Sequence, residues 1–467
     1  MSGAMRQMPN LYFISLIDAW NGKHPRNFTP SDAPVYEIGS AKQTVNWLLA
    51  NPETAEFIRK HTPAGVKPMI ASQKFDAETE RMCKERDYDL IMPSRELREH
   101  LDSKITTTEL GNRAGVPSAP NILTTVTDWD DLRRQAEAAN LGNNLVLQQP
   151  WGDSGATTYF INSEADWDRV AKDLVNTDVK VMKYVQHLPL ATEVVLLEHG
   201  CIITQTLREV TGHTELTRHK GGWVGSEFYP SLISAEVRDR IEQQVIALCD
   251  ELRKTGYRGE FEVSTLYDPE TQECYLGELN VRVAGSITLA NLDHNEALLP
   301  IFVYHVLEFA GVELDAELID AINEENRRAF AGQTWSVLVA QYNDRGYRIL
   351  TEVPESGFYR FNEQTKTLSF VSGAFDAQTL TDEDEVYLQV GAQKGGEVEI
   401  GGFKCMAWSR RRLQEDHYAL SDFALSLNEA IDKLFITRPG NRVERALNRV
   451  RRVVRRKFGQ RRHTRRS

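Results

Sequence analysis

Strand-like and helical patterns of apolar residues alternate over the first hundred positions of the chain. The largely apolar runs, typical of buried strands, are residues 10–18, 68–72 and 90–93. The stretches with helical spacing are residues 41–50 and 76–86. This alternation predicts an α/β domain over residues 1–102. A helix that begins at Ser103 and ends at Gly115, before a proline, opens the next domain.

The pattern changes twice more along the chain, near residues 330 and 437. Between residues 103 and 330, strands are predicted at residues 144–149, 157–161, 180–185, 193–198 and 204–209, and helices at residues 166–175, 233–255 and 296–310. Residues 331–437 are predicted to form short strands at 335–341, 357–361, 367–371, 386–390 and 397–400, with a closing helix at 418–435. The sequence therefore predicts a multidomain protein of the α/β and α+β classes with a small β-rich C-terminal domain.

The run from residue 260 to residue 282 concentrates polar side chains on one face of a strand. Side chains alternate along a strand, so Glu278, Asn280 and Arg282 are expected to point the same way, while the residues between them face the other side. A DPETQE turn folds the run into a β-hairpin lined with acids. Hard oxygen ligands of this kind suit Mg²⁺ held together with substrate phosphates. The alternative is a solvated hairpin with chance surface polarity.

A turn rich in glycine and hydroxyl residues, PWGDSGATT, joins the strands predicted at 144–149 and 157–161. Glycine lets backbone N–H groups approach an anion, and hydroxyl groups add donors, so the loop is a candidate phosphate cover. No GKS sequence follows and no helix opens after it, which excludes a Walker or dinucleotide fingerprint. The alternative is an ordinary hairpin turn.

Positive charge is concentrated between residues 208 and 220. Arg218 and Lys220, with Arg208, His213 and His219, form a cluster that suits an anionic substrate or a triphosphate. The alternative is a solvated basic loop.

The net charge of −12 hides an asymmetry between the body and the end of the chain. Residues 438–467 carry 13 Lys and Arg and one Glu, a local charge of +12, so residues 1–437 carry −24. Apolar residues recur at helical spacing among these arginines. The tail is thus a basic amphipathic helix for an anionic membrane surface, for nucleic acid or for the acidic body, or else it is disordered.

Chain length and cysteine content limit the classes to which the protein can belong. A chain of 467 residues is long enough for roughly three domains. The five cysteines are odd in number and widely spaced, which argues against a disulfide framework and favours a reducing cytoplasm. We expect no signal peptide and no membrane-spanning segment.

Six segments, in the same order, resemble those of the ATP-grasp superfamily over roughly residues 10–314. They are the initial α/β domain, LDSKITTTELGNRAGVPSAP, VLQQPWGDSGATTYF, VMKYV, GYRGEFEVSTL and GELNVR. GYRG and ELN-x-R are similar to the biotin-carboxylase-like and amino-acid-ligase branch. The resemblance implies a pre-ATP-grasp domain over residues 1–102 and an ATP-grasp domain over residues 103–330. It also implies the cofactors ATP and Mg²⁺, or Mn²⁺ in its place.

The resemblance also implies roles for individual residues. Lys104 resembles the lysine that contacts an ATP phosphate. Glu278 and Asn280 match the Mg²⁺-binding pair, and Arg282 matches the arginine that steadies an acyl phosphate. The other cofactor-binding residues that it implies are, in the lid, Gly152, Ser154, Gly155, Ala156 and Thr157, in the adenine hinge, Lys183, Tyr184 and Val185, and, on the following strand, Glu193.

The chain departs from the family pattern at three positions. Gln149 stands where the family has a second phosphate-binding lysine, so a neutral hydrogen bond replaces a charged contact. Ser264 falls on the family's first metal-binding acid, and Glu262, on the same strand face, is the candidate ligand that stands in for it. Met182 occupies the place of the hinge glutamate, which puts the ribose contact in question.

The implied activity is an ATP-dependent carboxylate–amine ligase. ATP phosphorylates a substrate carboxylate, and an amine then displaces phosphate to form an amide or peptide bond. This chemistry requires positioning and charge neutralisation rather than a protein nucleophile, and Arg282 with Arg218 or Lys220 are the candidate catalytic cations. Amino acids or a short peptide are the expected substrates, and a homo-oligomer is compatible with the sequence.

Two other functions are compatible with the same sequence. The first is a biotin-carboxylase-like component that uses bicarbonate as phosphate acceptor. The second is a nucleotide-binding regulatory protein without catalysis, which Gln149 and Ser264 favour.

Overall fold

A computed structural model of the chain describes most of its 467 residues. The described residues are 2–20, 22–34, 40–152, 155, 157–218, 221–292, 298–343, 346–398, 400–416, 418–441 and 443–445.

The helices follow the chain in thirteen segments of the described residues, with one additional 3₁₀ turn at Ala377–Thr379. They are α1 (Ser2–Gln7), α2 (Ala41–Ala50), α3 (Pro52–His61), α4 (Ala77–Glu85), α5 (Arg95–Leu101), α6 (Lys104–Ala114), α7 (Trp129–Ala138), α8 (Glu164–Leu174), α9 (Ala235–Lys254), α10 (Ile287–Ala290), α11 (Ile301–Phe309), α12 (Ala316–Ala329) and α13 (Asp422–Asp432).

The strands of the described residues are β1 (Phe13–Ile14), β2 (Asn27–Phe28), β3 (Met69–Ile70), β4 (Asp89–Leu90), β5 (Asn121–Thr125), β6 (Leu145–Gln148), β7 (Thr158–Ile161), β8 (Asp178–Lys183), β9 (Leu188–Leu196), β10 (Cys201–Ile203), β11 (Leu207–Thr211), β12 (Trp223–Phe228), β13 (Gly259–Asp268), β14 (Glu273–Asn280), β15 (Trp335–Gln341), β16 (Arg348–Glu352), β17 (Gly357–Asn362), β18 (Thr367–Ser372), β19 (Glu385–Val390), β20 (Glu397–Val398), β21 (Phe403–Ser409) and β22 (Ile436–Pro439).

Local sequence fixes helix α6 at both ends, as predicted. The Ser103 hydroxyl accepts a hydrogen bond from the Thr106 N–H, which satisfies one of the free donors of the first turn. Gly115 ends the helix in the left-handed conformation, with φ of 69°. Lys104 is thereby held in the first turn of a rigid helix.

A four-stranded antiparallel sheet in the order β5-β8-β6-β7 forms a separate layer of the middle region. One of its faces is covered by α7 and α8, and apolar side chains such as Leu147, Val181 and Trp167 form a core there. The opposite face carries Val146, Gln148, Lys180 and Met182, because side chains two residues apart share a face. This second face is directed toward the β13–β14 hairpin.

The largest sheet has eleven strands, and it crosses the boundary predicted at residue 330. Its order is β14-β13-β9-β11-β12-β15-β21-β19-β17-β18, with β10 paired to β9. Strand β12 pairs with β15 from Gly225–Leu338 to Phe228–Trp335. The regions predicted as an ATP-grasp domain and a β-rich domain therefore share one continuous sheet. One core beside it is formed by the middle region, and a second combines residues of the C-terminal region with Val210, Leu216 and Val224.

The two ends of the chain differ from the predicted pattern. In the N-terminal region, the apolar runs yield strands of only two residues each, β1 with β2 and β3 with β4, both parallel. Near the C-terminus, β22 pairs with β16, so ordered structure continues past the boundary predicted at residue 437. The tail beyond residue 445 lies outside the described residues.

Two global features concern the part of the chain that the structure describes. No helix there is long and apolar enough to cross a membrane. All five cysteines are buried free thiols.

Candidate active site

The candidate site lies where the open face of the four-stranded sheet meets the β13–β14 hairpin. The Leu276 N–H donates to the Pro117 carbonyl at 2.7 Å, and Ser118 forms a β-bridge with Leu276. Helix α6 packs against β14 as well. These contacts hold the two sheets together along a cleft.

One end of this cleft is apolar. Val146 and Met182 from the small sheet are buried against Leu266 and Tyr275 from the hairpin, with Phe160 beside them. A wall of aromatic and aliphatic side chains of this kind suits a flat aromatic ring. Met182, which departs from the family pattern, thus contributes packing surface where a glutamate was expected.

The predicted hinge borders the apolar end. The Val185 side chain packs on this apolar cluster. The Lys183 N–H donates to the Pro120 carbonyl and the Tyr184 N–H to the Asn144 carbonyl, both at 2.9 Å. These two N–H groups hold the hinge to its neighbours and are therefore already used within the protein.

The other end of the cleft is charged. Lys104 Nζ lies 2.8 Å from Glu278 Oε2 and donates to the Gly152 carbonyl at 3.1 Å. The lysine side chain is 6% exposed and the glutamate side chain 33%. Burial favours the neutral acid, but the ammonium of Lys104 outweighs it, with Arg282 and Asn280 adding to the effect, and lowers the pKa of Glu278. Glu278 is thus an ionised carboxylate at the mouth of the cleft.

Cross-strand pairing assembles the polar face predicted from the sequence. Glu262 lies opposite Asn280, and Ser264 lies opposite Glu278. Asn280 Nδ2 donates to Glu262 Oε1 at 2.7 Å, and Arg282 Nη1 donates to Asn280 Oδ1 at 2.6 Å. Strand β14 ends at Asn280, yet Arg282 reaches back to it and remains in the same cluster.

Glu193 joins this cluster and not the hinge. It lies opposite Glu262 on β9 and is fully buried, and its Oε2 has no hydrogen-bond partner in the part of the chain that the structure describes. Burial is the main cause that raises the pKa of both Glu193 and Glu262. Neighbouring carboxylates raise the pKa of Glu193 further, whereas hydrogen bonds from Ser286 and Asn280 and the charge of Arg282 oppose the rise at Glu262.

The Ser286 hydroxyl contacts both of these acids. It lies 2.5 Å from Glu193 Oε1 and also touches Glu262 Oε2. A hydroxyl has one proton to donate, so it can satisfy two carboxylates only if one of them is protonated and donates in turn. The raised pKa values agree with this arrangement. A bound cation could replace the shared proton.

Two further ionisable residues belong to the site although the sequence analysis did not assign them to it. Glu209 on β11 shares the face of Glu262 and Glu278, and burial together with these two acids raises its pKa. Lys180 on β8 is 1% exposed and lies within electrostatic range of Glu278 and Lys104. A lysine in the centre of an apolar strand was the sequence signal for Lys180, and a glutamate between apolar strand residues was the signal for Glu209.

Mg²⁺ is the metal ion to which the oxygen atoms of this cluster are compared. Among the described residues, no three His, Cys, Asp or Glu side chains are grouped so that they hold a metal ion by themselves. Glu262, Glu278 and Asn280 nevertheless offer hard oxygen atoms, and the buried Glu193 Oε2 lacks a partner. Magnesium characteristically takes one or two carboxylates and completes its shell with phosphate oxygens and water, so these residues fit the ion in the company of a phosphate ligand.

The PWGDSGATT loop is a hairpin turn between β6 and β7. The Gln149 N–H donates to the Thr157 carbonyl, and the Thr158 N–H to the Gly155 carbonyl. The Gly152 carbonyl accepts a hydrogen bond from Lys104, so this residue of the loop lies at the charged end of the cleft. The predicted lid residues Ser154 and Ala156 lie outside the described residues.

Three residues that the sequence analysis linked to the site make no described contact with the cleft, and they are Gln149, Arg218 and Arg208. Gln149 points to the other side of the sheet, where its Nε2 donates to the Asp173 carbonyl at 2.6 Å. Arg218 Nε donates to the Asn343 carbonyl, next to β15. Arg208, from the same basic cluster, is fully buried beside Glu227 at 3.8 Å, so the described arginines of this cluster contact different parts of the protein. Lys220 lies outside the described residues.

No protein-family model and no curated protein matches this sequence. Solved structures do match its fold, which is the ATP-grasp fold of biotin carboxylases and N5-carboxyaminoimidazole ribonucleotide synthases. The fold resemblance stated from the sequence is thereby confirmed.

Three solved structures show the extent of this similarity. A Campylobacter jejuni biotin carboxylase has a TM-score of 0.56 at 13% identity and covers 85% of this chain and 80% of its own. The biotin carboxylase domain of Hydrogenobacter thermophilus 2-oxoglutarate carboxylase has a TM-score of 0.54 at 14% identity, over 82% and 76%. The N5-carboxyaminoimidazole synthase from Aspergillus clavatus has a TM-score of 0.52 at 12% identity, over 93% and 94%. At these identities the similarity concerns the fold.

Proposed function

We propose that the protein is an ATP-dependent ligase that joins a carboxylate to an amine through an acyl phosphate, with release of ADP and phosphate. The observation that carries this proposal is the Lys104–Glu278 pair, 2.8 Å apart, between an apolar cluster of side chains and a buried face of acids. A phosphate-binding cation and a metal-binding carboxylate are thus held side by side. Each neutralises the charge of the other.

The residues of the cleft can be assigned to parts of one reaction. The apolar wall of Val146 and Met182 receives adenine, and Lys104 binds phosphate oxygens beneath the loop. Glu262, Glu278 and Asn280 hold Mg²⁺, which supplies charge neutralisation at the phosphates when bound. The other parts of the reaction are carried out by side chains of the protein.

Arg282 is the residue next to the metal-binding pair of Glu278 and Asn280 that would stabilise an anion. Its guanidinium is oriented by the 2.6 Å hydrogen bond to Asn280. A preoriented cation at this position would stabilise negative charge that develops on an acyl phosphate oxygen. No protein nucleophile is required, because positioning and charge neutralisation account for most of phosphoryl-transfer catalysis.

The ligands of the fold neighbours support this assignment. The Hydrogenobacter structure contains MgADP, ADP and bicarbonate. The Aspergillus structure contains ADP and 5-aminoimidazole ribonucleotide. These are a carboxylate-like acceptor in one protein and an amine in the other. For this chain, we propose an amino acid or short peptide as the carboxylate substrate and an amide or peptide bond as the product.

Product analysis tests the proposal. Purified protein is incubated with Mg²⁺-ATP and pooled amino acids, and ADP, AMP and phosphate are quantified. Hydroxylamine is added in a parallel reaction to trap an acyl phosphate as a hydroxamate. We expect ADP and phosphate to form only with the pool, and Glu278→Gln to lower turnover by about 10²-fold or more, because a charge that neutralises the phosphates is lost.

Glu273→Gln is the matched control, because Glu273 is an exposed glutamate at the far end of the same strand. It should retain normal turnover. Formation of AMP and pyrophosphate would contradict the acyl-phosphate route. Turnover that depends on bicarbonate instead of the pool would identify a carboxylase, and a folded Glu278→Gln variant with normal activity would refute the assignment of the site.

A further inference from the structure

Lys180 is a buried cation on the face of the small sheet that meets the β13–β14 hairpin. It lies in the middle of β8 with 1% exposure, and among the described residues it forms no hydrogen bond or ion pair. An ammonium group buried without a partner is unfavourable unless something else in the functional state compensates it. Burial lowers the pKa of Lys180 to about 8, with Glu278 opposing this and Lys104 adding to it.

The position of Lys180 within the sheet relates it to the cleft. It is the register partner of Gln148 on β6, and both side chains share the face of Val146 and Met182. Two residues along a strand span about 7 Å, so the face changes from apolar to cationic within that distance. Such a change matches the polarity of a nucleoside polyphosphate, which has an aromatic base at one end and anionic phosphates at the other.

The neighbouring strand lacks a cation at the corresponding point. Gln149 faces away from the cleft, toward Asp173, and Gln148 is the residue of β6 that faces it. Gln148 Nε2 donates to Thr158 Oγ1 at 3.2 Å, and its Oε1 is buried without a partner among the described residues. Lys180 lies on β8, the strand paired with β6, and adjacent strands are about 4.8 Å apart. Its positive charge is therefore one strand away from the position on β6 that has no cation.

We propose that Lys180 is a phosphate-binding residue, and that this chain supplies from β8 the second cation that the sequence lacks on β6. The ligand class is a nucleoside di- or triphosphate whose phosphates lie between Lys180 and Lys104. This inference rests on the proposed function and names the residue that selects the phosphorylated nucleotide. Phosphates bound to both lysines would replace Glu278 as the partner of Lys104. The Glu278 carboxylate would then be free to hold Mg²⁺.

Calorimetric titration with MgADP and with adenosine tests the inference. Lys180→Gln should weaken MgADP binding by at least tenfold and leave adenosine binding within twofold of the wild type, because only the phosphate contact is lost. Lys172→Gln, an exposed lysine on α8 of the same region, should change neither. The variant should fold, because it removes a buried charge that has no partner.

A second variant tests position as well as charge. Gln148→Lys combined with Lys180→Gln moves the cation across the register pair to β6, and MgADP affinity should return to within about threefold of the wild type. The inference is overturned if Lys180→Gln binds MgADP as the wild type does, or if it loses adenosine to the same extent. A wild-type protein that binds neither MgADP nor adenosine would overturn the proposed function as well, which distinguishes the two failures.

Discussion

His305 shows how a single buried side chain ties separate parts of the molecule together. It is fully buried on α11. Its Nδ1 accepts the Glu260 N–H at 3.0 Å, and its Nε2 donates to the Ile91 carbonyl at 2.7 Å. One ring nitrogen accepts and the other donates, so the ring is neutral and in a fixed tautomer. Burial lowers the pKa of His305 to about 4.

Protonation of His305 is expected to destabilise the fold at acid pH. The folded-state pKa of about 4 is below the ordinary value of 6.5, so between these values the unfolded chain binds the proton more readily. The stability that the neutral ring provides is complete above pH 6.5 and is lost as the pH falls toward 4, by up to about 3 kcal/mol. His305→Asn removes this titration. Urea unfolding between pH 4 and 7 should therefore show a shallower loss of stability for the variant.

His100→Asn is the comparison, because it makes the same substitution at an exposed position of α5. Equal pH dependence in the wild type and His305→Asn would contradict the assigned role of the buried ring.

At the scale of elements, the junction between β12 and β15 joins the two halves of the large sheet. Gly225 lies opposite Leu338 there, with φ of +148°. A Cβ atom at this position would lie 2.1 Å from the Val337 carbonyl oxygen, which belongs to the backbone and cannot turn aside. Glycine is required because the two strands approach closely and the backbone occupies a region that L side chains rarely adopt.

Gly225→Ala should lower the free energy of unfolding by about 2–4 kcal/mol, since it adds a backbone clash to conformational strain. The matched variant is Gly256→Ala, where φ is +80° but no atom lies within 4 Å of the new Cβ. It should lose only about 1 kcal/mol, from strain alone. Urea denaturation of both variants measures the difference, and equal losses would show that the clash at the junction is relieved.

At the scale of the whole molecule, the continuous sheet makes the middle and C-terminal regions one structural unit. Trp335 and Val337 on β15 are buried, and Trp335 packs with Phe228 of β12. Removal of the C-terminal region would expose the edge of β12 and this apolar surface to water. The boundary near residue 330 is therefore a change of sequence pattern within a shared sheet.

A fragment of residues 1–330 should fail to unfold cooperatively, whereas a fragment of residues 1–445 should unfold in a single transition. The reason is the unpaired β12 edge in the shorter fragment. Circular dichroism during thermal unfolding measures both, and the longer fragment controls for truncation itself. A soluble 1–330 fragment with a sharp transition would show that the two regions are independent domains. The predicted binding of the basic tail to membranes or nucleic acid stays a prediction.

Local sequence determined the elements whose signals lie within a few residues. Helix α6 follows from Ser103 and Gly115, and the β13–β14 hairpin follows from its turn. Alternation along β14 correctly placed Glu278 and Asn280 on one face, because the two-residue period of a strand is a property of the backbone itself. The motif order was sufficient to identify the ATP-grasp fold.

The tertiary structure decided what depends on pairing between distant strands. Strands β12 and β21 were not predicted, because both lie inside the large sheet and are buried on nearly every residue, which removes the alternation that marks a strand. The surroundings of Gln149 and Glu193 depend on the same pairing, since the register of neighbouring strands decides which face meets the cleft. Local periodicity fixes which side chains share a face, but only long-range packing determines what that face meets, and this is why Lys180 enters the site from β8.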